Sequence, residues 1–150
     1  MTLRLAAIYA RQNDFVIQPE SRTTFGVWIG WEPVQVLGRE TEMTTVGQAI
    51  RDALVASRDG VVHPTDWKAV LQPLFKGAKI KSWNAMQKSA KMVGIEMSDA
   101  ELRIVPSRNG GTAGDDKGYH SLSEKAIVLA GDCSAEQLGS ALSQALELCC

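Results

Sequence analysis

The pattern of apolar and polar positions changes period several times along this chain. In the first forty residues, short apolar runs rich in β-branched and aromatic residues are broken by turn-forming residues, which is typical of β-strands. We expect three or four strands there. The clearest covers residues 24–31, where apolar side chains alternate onto one face and Trp28 lies between glycines on the other. Trp28 then either covers the sheet beneath a helix or stands exposed as an aromatic anchor for a partner.

Two long amphipathic helices are predicted. Apolar residues recur at helical spacing over residues 46–54, with Thr44 or Thr45 available as the N-cap. Near the C-terminus, Ser134 is followed three residues later by Gln137, which is the capping-box spacing, and a second apolar stripe follows. This pattern indicates a C-terminal amphipathic helix.

Two shorter helices and a hairpin are predicted between them. Asp66 precedes one short helical segment, and Pro73 should interrupt or bend it. Ser82 is placed to cap the next segment. Residues 93–97 and 102–104 then alternate in a strand pattern around a turn, which predicts a β-hairpin.

The remaining segments complete an α+β order. Residues 107–118 have no apolar period and contain four glycines, so we expect a mobile, exposed loop. Residues 126–130 read as a strand. No repeat or interdomain linker interrupts the chain, and residues 1–150 are therefore predicted to form one domain with a largely antiparallel sheet and three or four packed helices.

Composition and charge narrow the class of function. The 150 residues are 45% hydrophobic and 22% charged, which is ordinary for a folded domain of this size. Sixteen basic residues against seventeen acidic ones give a net charge of -1, which argues against direct nucleic-acid binding. One alternative stays open, an RNA-binding domain that uses the lysine-rich segment of residues 76–91.

Membrane, metal and cofactor binding are not indicated. No stretch approaches the roughly 20 apolar residues of a membrane span, so we expect a cytoplasmic protein. The three cysteines cluster near the C-terminus, and the two histidines, His63 and His120, belong to no ligand motif. We therefore expect no metal site and no cofactor.

Catalytic chemistry is also weakly supported. His63 precedes a proline, and His120 lies beside the glycine-rich loop, where Asp115 and Asp116 could be drawn as its acid/base partners. The glycine run at residues 110–114 lacks the order of a phosphate-binding loop. We predict that the protein is not an enzyme, with a small hydrolase using His120 as the alternative.

Several stretches resemble, in order and spacing, the immunity proteins of contact-dependent growth inhibition (CDI) systems. Residues 14–17 (Asp-Phe-Val-Ile) resemble an early strand of that family, and residues 47–58 are similar to its first helix, which ends in Ser-Arg. Residues 106–108 (Pro-Ser-Arg) and the helix of residues 134–142, which continues to Cys149, complete the likeness.

The resemblance implies a cytoplasmic protein that binds the C-terminal domain of a cognate toxin, commonly a nuclease, and inhibits it by occlusion in a 1:1 heterodimer. The resemblance assigns no role to any individual residue. Acidic groups that could meet a toxin's basic residues, and one aromatic anchor, are the candidates for toxin binding. We rank the loop pair first for its charge and mobility; the full set is Asp115, Asp116, Glu96, Asp99, Glu101, Glu40, Glu42 and Trp28.

Overall fold

The computed structural model describes residues 3–150, so Met1 and Thr2 of the predicted domain lie outside the described residues. Its strands are β1 (Arg4–Ala10), β2 (Asp14–Thr23), β3 (Trp28–Gly30), β4 (Gln35–Gly38), β5 (Asp59–Val61), β6 (Lys91–Met97), β7 (Glu101–Asn109), β8 (Tyr119–Ser121) and β9 (Ile127–Ala130). Its α-helices are α1 (Met43–Ala56), α2 (Trp67–Ala78), α3 (Trp83–Ser89) and α4 (Ala135–Leu148). The predicted α+β class and C-terminal amphipathic helix are confirmed.

Over residues 3–150 the strands form one sheet that is almost wholly antiparallel. Its main path is β3-β2-β1-β6-β7-β8, with β4 pairing with the first half of β2 and β9 with the first half of β7. β5 pairs in parallel with the end of β2. The predicted hairpin of residues 93–104 is confirmed as β6 and β7.

Helices pack on both faces of this sheet. Alternate residues of β1 point to opposite faces, so Ala6 and Ile8 enter the core formed with α1 and α4, while Ala7 and Tyr9 enter a smaller core with α2 and α3. The larger core is built from the apolar stripes of α1 and α4 that the sequence predicts, including Ile50 and Leu142. The protein therefore has a helix pair on each side of a central sheet.

Two glycines let α1 and α4 approach closely. A Cβ atom on Gly47 of α1 would collide with the backbone carbonyl of Ala135, and one on Gly139 of α4 would collide with that of Met43. The two contacts are reciprocal, because each glycine faces the first residue of the other helix. Close backbone approach at such points requires glycine.

The helix ends show which local signals were informative. Ser134 and Gln137 form the predicted capping box, Ser82 accepts a hydrogen bond from the Ala85 amide, and Asp66 caps α2. The prediction of Thr44 or Thr45 as N-cap is wrong, because α1 begins at Met43 and both threonines lie inside its first turn.

Pro73 does not interrupt α2, which runs through it from Trp67 to Ala78, so that part of the prediction is wrong; a bend at Pro73 stays a prediction. The helix is held at its C-terminal end by Leu74 and Ala78, which are buried against the sheet. This packing outweighs the single backbone hydrogen bond that proline cannot donate.

Two further predictions are corrected by the backbone. Residues 24–27 form the β2–β3 turn instead of a strand, because Gly26 adopts a left-handed φ of 80° and the Thr23 hydroxyl accepts hydrogen bonds from the Phe25 and Val27 amides. Residues 107–109 belong to β7, with Ser107 only 2% exposed, so the exposed loop begins at Gly110.

Candidate functional site

One end of the sheet is left uncovered on the side that carries α2 and α3. Leu5 shares this face with Ala7 and Tyr9, and strand register continues it in one row through Glu20, Leu5, Glu96, Arg103 and Val128. All five side chains retain solvent exposure, and Val128 is 52% exposed. Two residues further along their strands, Arg22, Trp28 and Glu101 continue the same face. We call it the open face and define it as Leu5, Glu20, Arg22, Trp28, Glu96, Glu101, Arg103 and Val128.

A tightly bonded group holds Trp28 at the rim of the open face. The Arg22 guanidinium lies 5.5 Å from the Trp28 ring centroid and donates two hydrogen bonds, of 2.9 and 2.8 Å, to the carboxylate of Asp59. The hydrogen bonds from Arg22 hold the pKa of Asp59 below its usual value. The indole is partly exposed. Trp28 is therefore a preorganised aromatic surface, held by the planar guanidinium beside it.

A second exposed aromatic group is built on the β2–β3 turn, where Phe25 lies three residues before Trp28 in the chain. The Phe25 ring, 76% exposed, stacks on His63 with centroids 4.5 Å apart, and His63 meets the edge of Trp67 at 5.5 Å. His63 is fixed by a 3.0 Å hydrogen bond between its Nδ1 and the Thr23 hydroxyl. We call Phe25, His63 and Trp67 the aromatic cluster. It joins the β2–β3 turn to the start of α2.

A groove runs beneath α2, from β3 to α3. It consists of a cavity of about 170 Å³ and a second cavity of about 390 Å³, which share Gly30 and Val70 in their linings. A Cβ atom on Gly30 would lie 2.6 Å from the Gln18 amide nitrogen, so glycine leaves room for that side chain in the groove. We reserve the name α2 groove for the cavity of about 170 Å³. It is lined by Tyr9, Gln18, Glu20, Gly30, Val70, Leu71, Leu74 and Trp83.

Glu20 is the charged residue that lines the α2 groove. Burial raises the pKa of its carboxyl to about 7. Within residues 3–150 its carboxylate makes no hydrogen bond or salt bridge, and the Ser57 hydroxyl donates a 2.5 Å hydrogen bond to its backbone carbonyl. The pKa of the neighbouring Tyr9 is raised by burial first and by the Glu20 charge second. Among the described residues, no cation therefore pairs with the Glu20 carboxylate.

Four of the eight predicted site residues come together at the open face. Trp28, Glu96 and Glu101 belong to it, and Asp99 is exposed in the turn that joins β6 to β7 at the same end. They are far apart in sequence. Antiparallel pairing brings them to one end of one face.

The loop carboxylates lie at the other end of β7. Asp116 receives two hydrogen bonds from the Arg108 guanidinium, of 2.5 and 2.9 Å, and its backbone carbonyl is 2.7 Å from His120 Nε2. The hydrogen bonds from Arg108 hold the pKa of Asp116 below its usual value. Asp115 is exposed in the same loop. Asp116 is therefore already paired within the chain.

Glu40 and Glu42 form a third, separate group. Both are exposed in the connection between β4 and α1, where Glu42 is the N-cap residue of α1 without a side-chain hydrogen bond. This connection follows β4, which pairs with the start of β2, whereas Glu20 and Arg22 lie near the end of β2. The three acidic groups thus do not form one patch.

Sequence reasoning missed the aromatic cluster and Glu20. The alternating pattern predicts Phe25 on the apolar face of a strand, and His63 is weighed only as a metal ligand or a catalytic group. The signal that could have found the cluster is the Thr-Phe-Gly segment at residues 24–26, which is also a turn sequence with an aromatic residue at its tip. No sequence signal marks Glu20, because the burial of its carboxyl depends on where α2 packs on the sheet.

The histidines do not form catalytic arrangements. Thr23 lies beside His63, but its hydroxyl is committed to the turn amides and the residue is 3% exposed. His120 contacts Asp116, which is itself held by Arg108. No group of three or more metal-ligating side chains occurs among the described residues. No helix in residues 3–150 is long and apolar enough to cross a bilayer.

Comparison with known proteins places the chain in a family. Residues 4–149 match the family model for CdiI, the CDI immunity protein. The chain belongs to the CDI immunity protein family. The match covers nearly the whole chain, including the open face, the aromatic cluster and the α2 groove. Comparison with curated proteins found no match.

Solved structures with the same fold include two at a TM-score of 0.78. A protein of unknown function from Neisseria meningitidis is 22% identical, with 99% of this chain and 96% of that chain covered. A CdiA-CT/CdiI toxin and immunity complex from Yersinia pseudotuberculosis is 14% identical, with 100% of this chain and 99% of that chain covered. At these identities the likeness establishes the fold of this CDI immunity protein and not its contacts.

Proposed function

We propose that this protein binds the C-terminal domain of a cognate CDI toxin in the cytoplasm and neutralises it by occlusion in a 1:1 complex, without catalysing a reaction. The observation that carries the proposal is the gathering of Trp28 and the carboxylates of Glu96, Asp99 and Glu101 at one uncovered end of the sheet. Membership of the immunity family supplies the kind of partner.

The composition of this surface suits a protein partner. Interface centres are enriched in tryptophan, tyrosine and arginine, and they are surrounded by polar residues. Here the Arg22 guanidinium lies over the Trp28 ring, both side chains are partly exposed, the aromatic cluster is built on the turn between their strands, and charged groups follow along the row. A partner that covered both would exclude water from two aromatic groups that the free protein leaves exposed.

We further propose that the toxin is a nuclease. Nucleases hold nucleic acid with lysine and arginine side chains. Glu96, Asp99 and Glu101 are able to form charge-assisted hydrogen bonds with such groups and so to compete with the nucleic acid. The remaining predicted residues, Asp115, Asp116, Glu40 and Glu42, are proposed as secondary contacts because they lie outside this surface.

The hydrolase and RNA-binding alternatives have less support. His120 and Asp116 are used to hold the β7–β8 loop together. Lys76, Lys79 and Lys88 are exposed on or beside α2 and α3, and Lys91 donates a hydrogen bond to the Leu146 carbonyl. We propose that the protein binds no nucleic acid directly.

The test is co-expression of this chain with the toxin domain encoded immediately upstream, followed by capture through a tag on either partner. We expect retention of a 1:1 pair through a high-salt wash and protection of cells that express the toxin. Trp28→Ala should weaken the complex by roughly 10-fold or more, since a buried aromatic anchor contributes about 2 kcal/mol. Val55→Ala, at an exposed position on α1, is the matched control.

Failure of the wild-type chain to retain a soluble toxin domain would refute the proposal. Retention that is equally strong with Trp28→Ala would keep the immunity function and remove the open face as its binding surface. Incubation of the purified toxin domain with cellular RNA and DNA, with and without this protein, tests the nuclease step separately.

A further inference from the structure

Glu20 occupies a position that is costly for the free protein. Its carboxyl lines the α2 groove among Tyr9, Leu74 and Trp83, and burial without a compensating charge disfavours the ionised form. The backbone of Glu20 is fixed by β1 and β3 on either side, in register with Leu5 and Gly30. The side chain is therefore held at the groove by the sheet.

Among residues 3–150, no cationic side chain pairs with Glu20. Arg22 on the same strand is engaged by Asp59, and Arg103 lies three strands away and donates to the Ser123 carbonyl. The α2 residues that line the groove are uncharged, and α3 contributes Trp83. Glu96 lies across Leu5 in the same row, and Glu32 lines the adjoining cavity. The charged groups nearest the groove are thus mainly negative.

We propose that the α2 groove receives a single lysine or arginine side chain of the toxin domain, whose cationic end pairs with Glu20 while its methylene groups pack against Leu71 and Trp83. The inference rests on the proposed function and adds the chemistry of the contact. The cavity of about 170 Å³ has room for a long side chain rather than for a helix or a hairpin. Lysine and arginine combine an apolar stem with a charged end, as this groove requires.

The groove selects against other occupants by its charge and its lining. An anion would be repelled by Glu20 and Glu32, and an apolar side chain would cut the partly buried carboxylate off from water without giving it a partner. A basic side chain removes that cost on binding. Pairing in a partly buried site is also stronger than on the exposed surface.

The test compares binding of the purified, catalytically inactive toxin domain to wild type and to Glu20→Gln by calorimetry at pH 8. Glutamine keeps the shape and removes the charge, so we expect the dissociation constant to rise at least tenfold. Glu147→Gln makes the same chemical change at an exposed position on α4 and should bind like wild type. Circular dichroism of both variants should match wild type.

The pH dependence gives a second, independent readout. Between pH 8 and pH 6 a proton competes with the toxin's cation for Glu20, so wild-type affinity should fall several-fold, and Glu20→Gln should lose this component. Unchanged affinity in Glu20→Gln, with wild type still bound, would overturn the inference and leave the proposed function standing. A wild-type chain that binds no toxin domain would overturn both. Glu20-dependent self-association of the free protein would also overturn it, by assigning the groove to a second copy.

Discussion

At the scale of single residues, Gly47 and Gly139 set the distance between α1 and α4. Each lacks the Cβ atom that would strike a backbone carbonyl of the other helix. A backbone carbonyl cannot move aside as a flexible side chain can, so any larger residue must push the two helices apart. The main core between the helices and the sheet would then lose contact area.

We predict that Gly47→Ala and Gly139→Ala each destabilise the protein by about 1 to 3 kcal/mol, although alanine favours a helix more than glycine does. Gly94→Ala in β6 is the matched control, because a Cβ there meets nothing within 4 Å; its effect should stay within about 0.5 kcal/mol. Urea unfolding measures all three. Equal stability of the three variants would contradict the steric explanation.

Glu20 also affects the stability of the free protein. Its carboxyl has a pKa of about 7 when folded against a usual value of 4.5, so the folded state holds the proton more tightly than the unfolded state. The stability linked to this proton is fully present below pH 4.5 and is lost as the pH rises to about 7.

We therefore predict that Glu20→Gln gains stability relative to wild type between pH 5 and pH 8, by at most about 3 kcal/mol. The comparison is a difference between two proteins, so pH effects that both proteins share cancel. Chemical unfolding at both pH values provides the measurement, with Glu147→Gln as the control. A pH-independent difference would show that Glu20 ionises normally.

At the scale of elements, α2 is the least firmly packed of the longer helices. Only Leu74 and Ala78 among its residues are fully buried, and Pro73 removes the hydrogen bond that the Ala69 carbonyl would accept in a regular helix. The N-terminal half therefore depends on the Asp66 cap and on contacts across the groove. We expect this half to open more readily than α1 or α4.

We predict that Pro73→Ala stabilises α2, by as much as about 3 kcal/mol, because it restores that hydrogen bond and removes the steric conflict of proline within a helix. Hydrogen exchange of the amides of residues 69–72 should slow relative to wild type. Gln72→Ala, at an exposed position in the same turn, should change exchange little. Exchange that is equally fast in Pro73→Ala would mean that the proline does not limit this helix.

The elements also show what the sequence could predict. Capping by Ser82 and Ser134 and the stripes of α1 and α4 depend on residues a few positions apart, so their patterns were sufficient. The 24–31 segment failed because an alternating pattern is shared by a strand and by a turn with exposed apolar residues. The open face and the Glu20 setting depend on register among six strands and on the placement of α2, which no local pattern encodes.

At the scale of the whole molecule, the acidic groups are too far apart to contribute equally to one interface with the toxin domain. Glu101 and Asn109 mark the two ends of β7, which at about 3.3 Å per residue lie roughly 26 Å apart. A typical interface buries about 800 Å² on each partner, a patch of similar width. The open face and the loop with Asp115 cannot both lie at its centre.

We predict that Glu101→Lys slows association with the toxin domain several-fold at low salt, whereas Asp115→Lys changes it little. Steering by charge acts within about 10 Å at 0.1 M salt, so the effect of Glu101→Lys should shrink at 0.5 M. Stopped-flow fluorescence measures the rates. A larger effect from Asp115→Lys would favour the β7–β8 loop as the toxin-binding surface, as the sequence predicts from its charge. It would argue against the open face.

The two cores on opposite sides of the sheet have a consequence for protein engineering. Because α1 and α4 interlock through their glycines on one side, the exposed residues of the open face and the aromatic cluster can be varied on the other without entering either core. A library confined to that side should yield folded proteins that recognise different toxins. Such a chain is a suitable starting point for building orthogonal pairs of toxin and inhibitor that coexist in one cell.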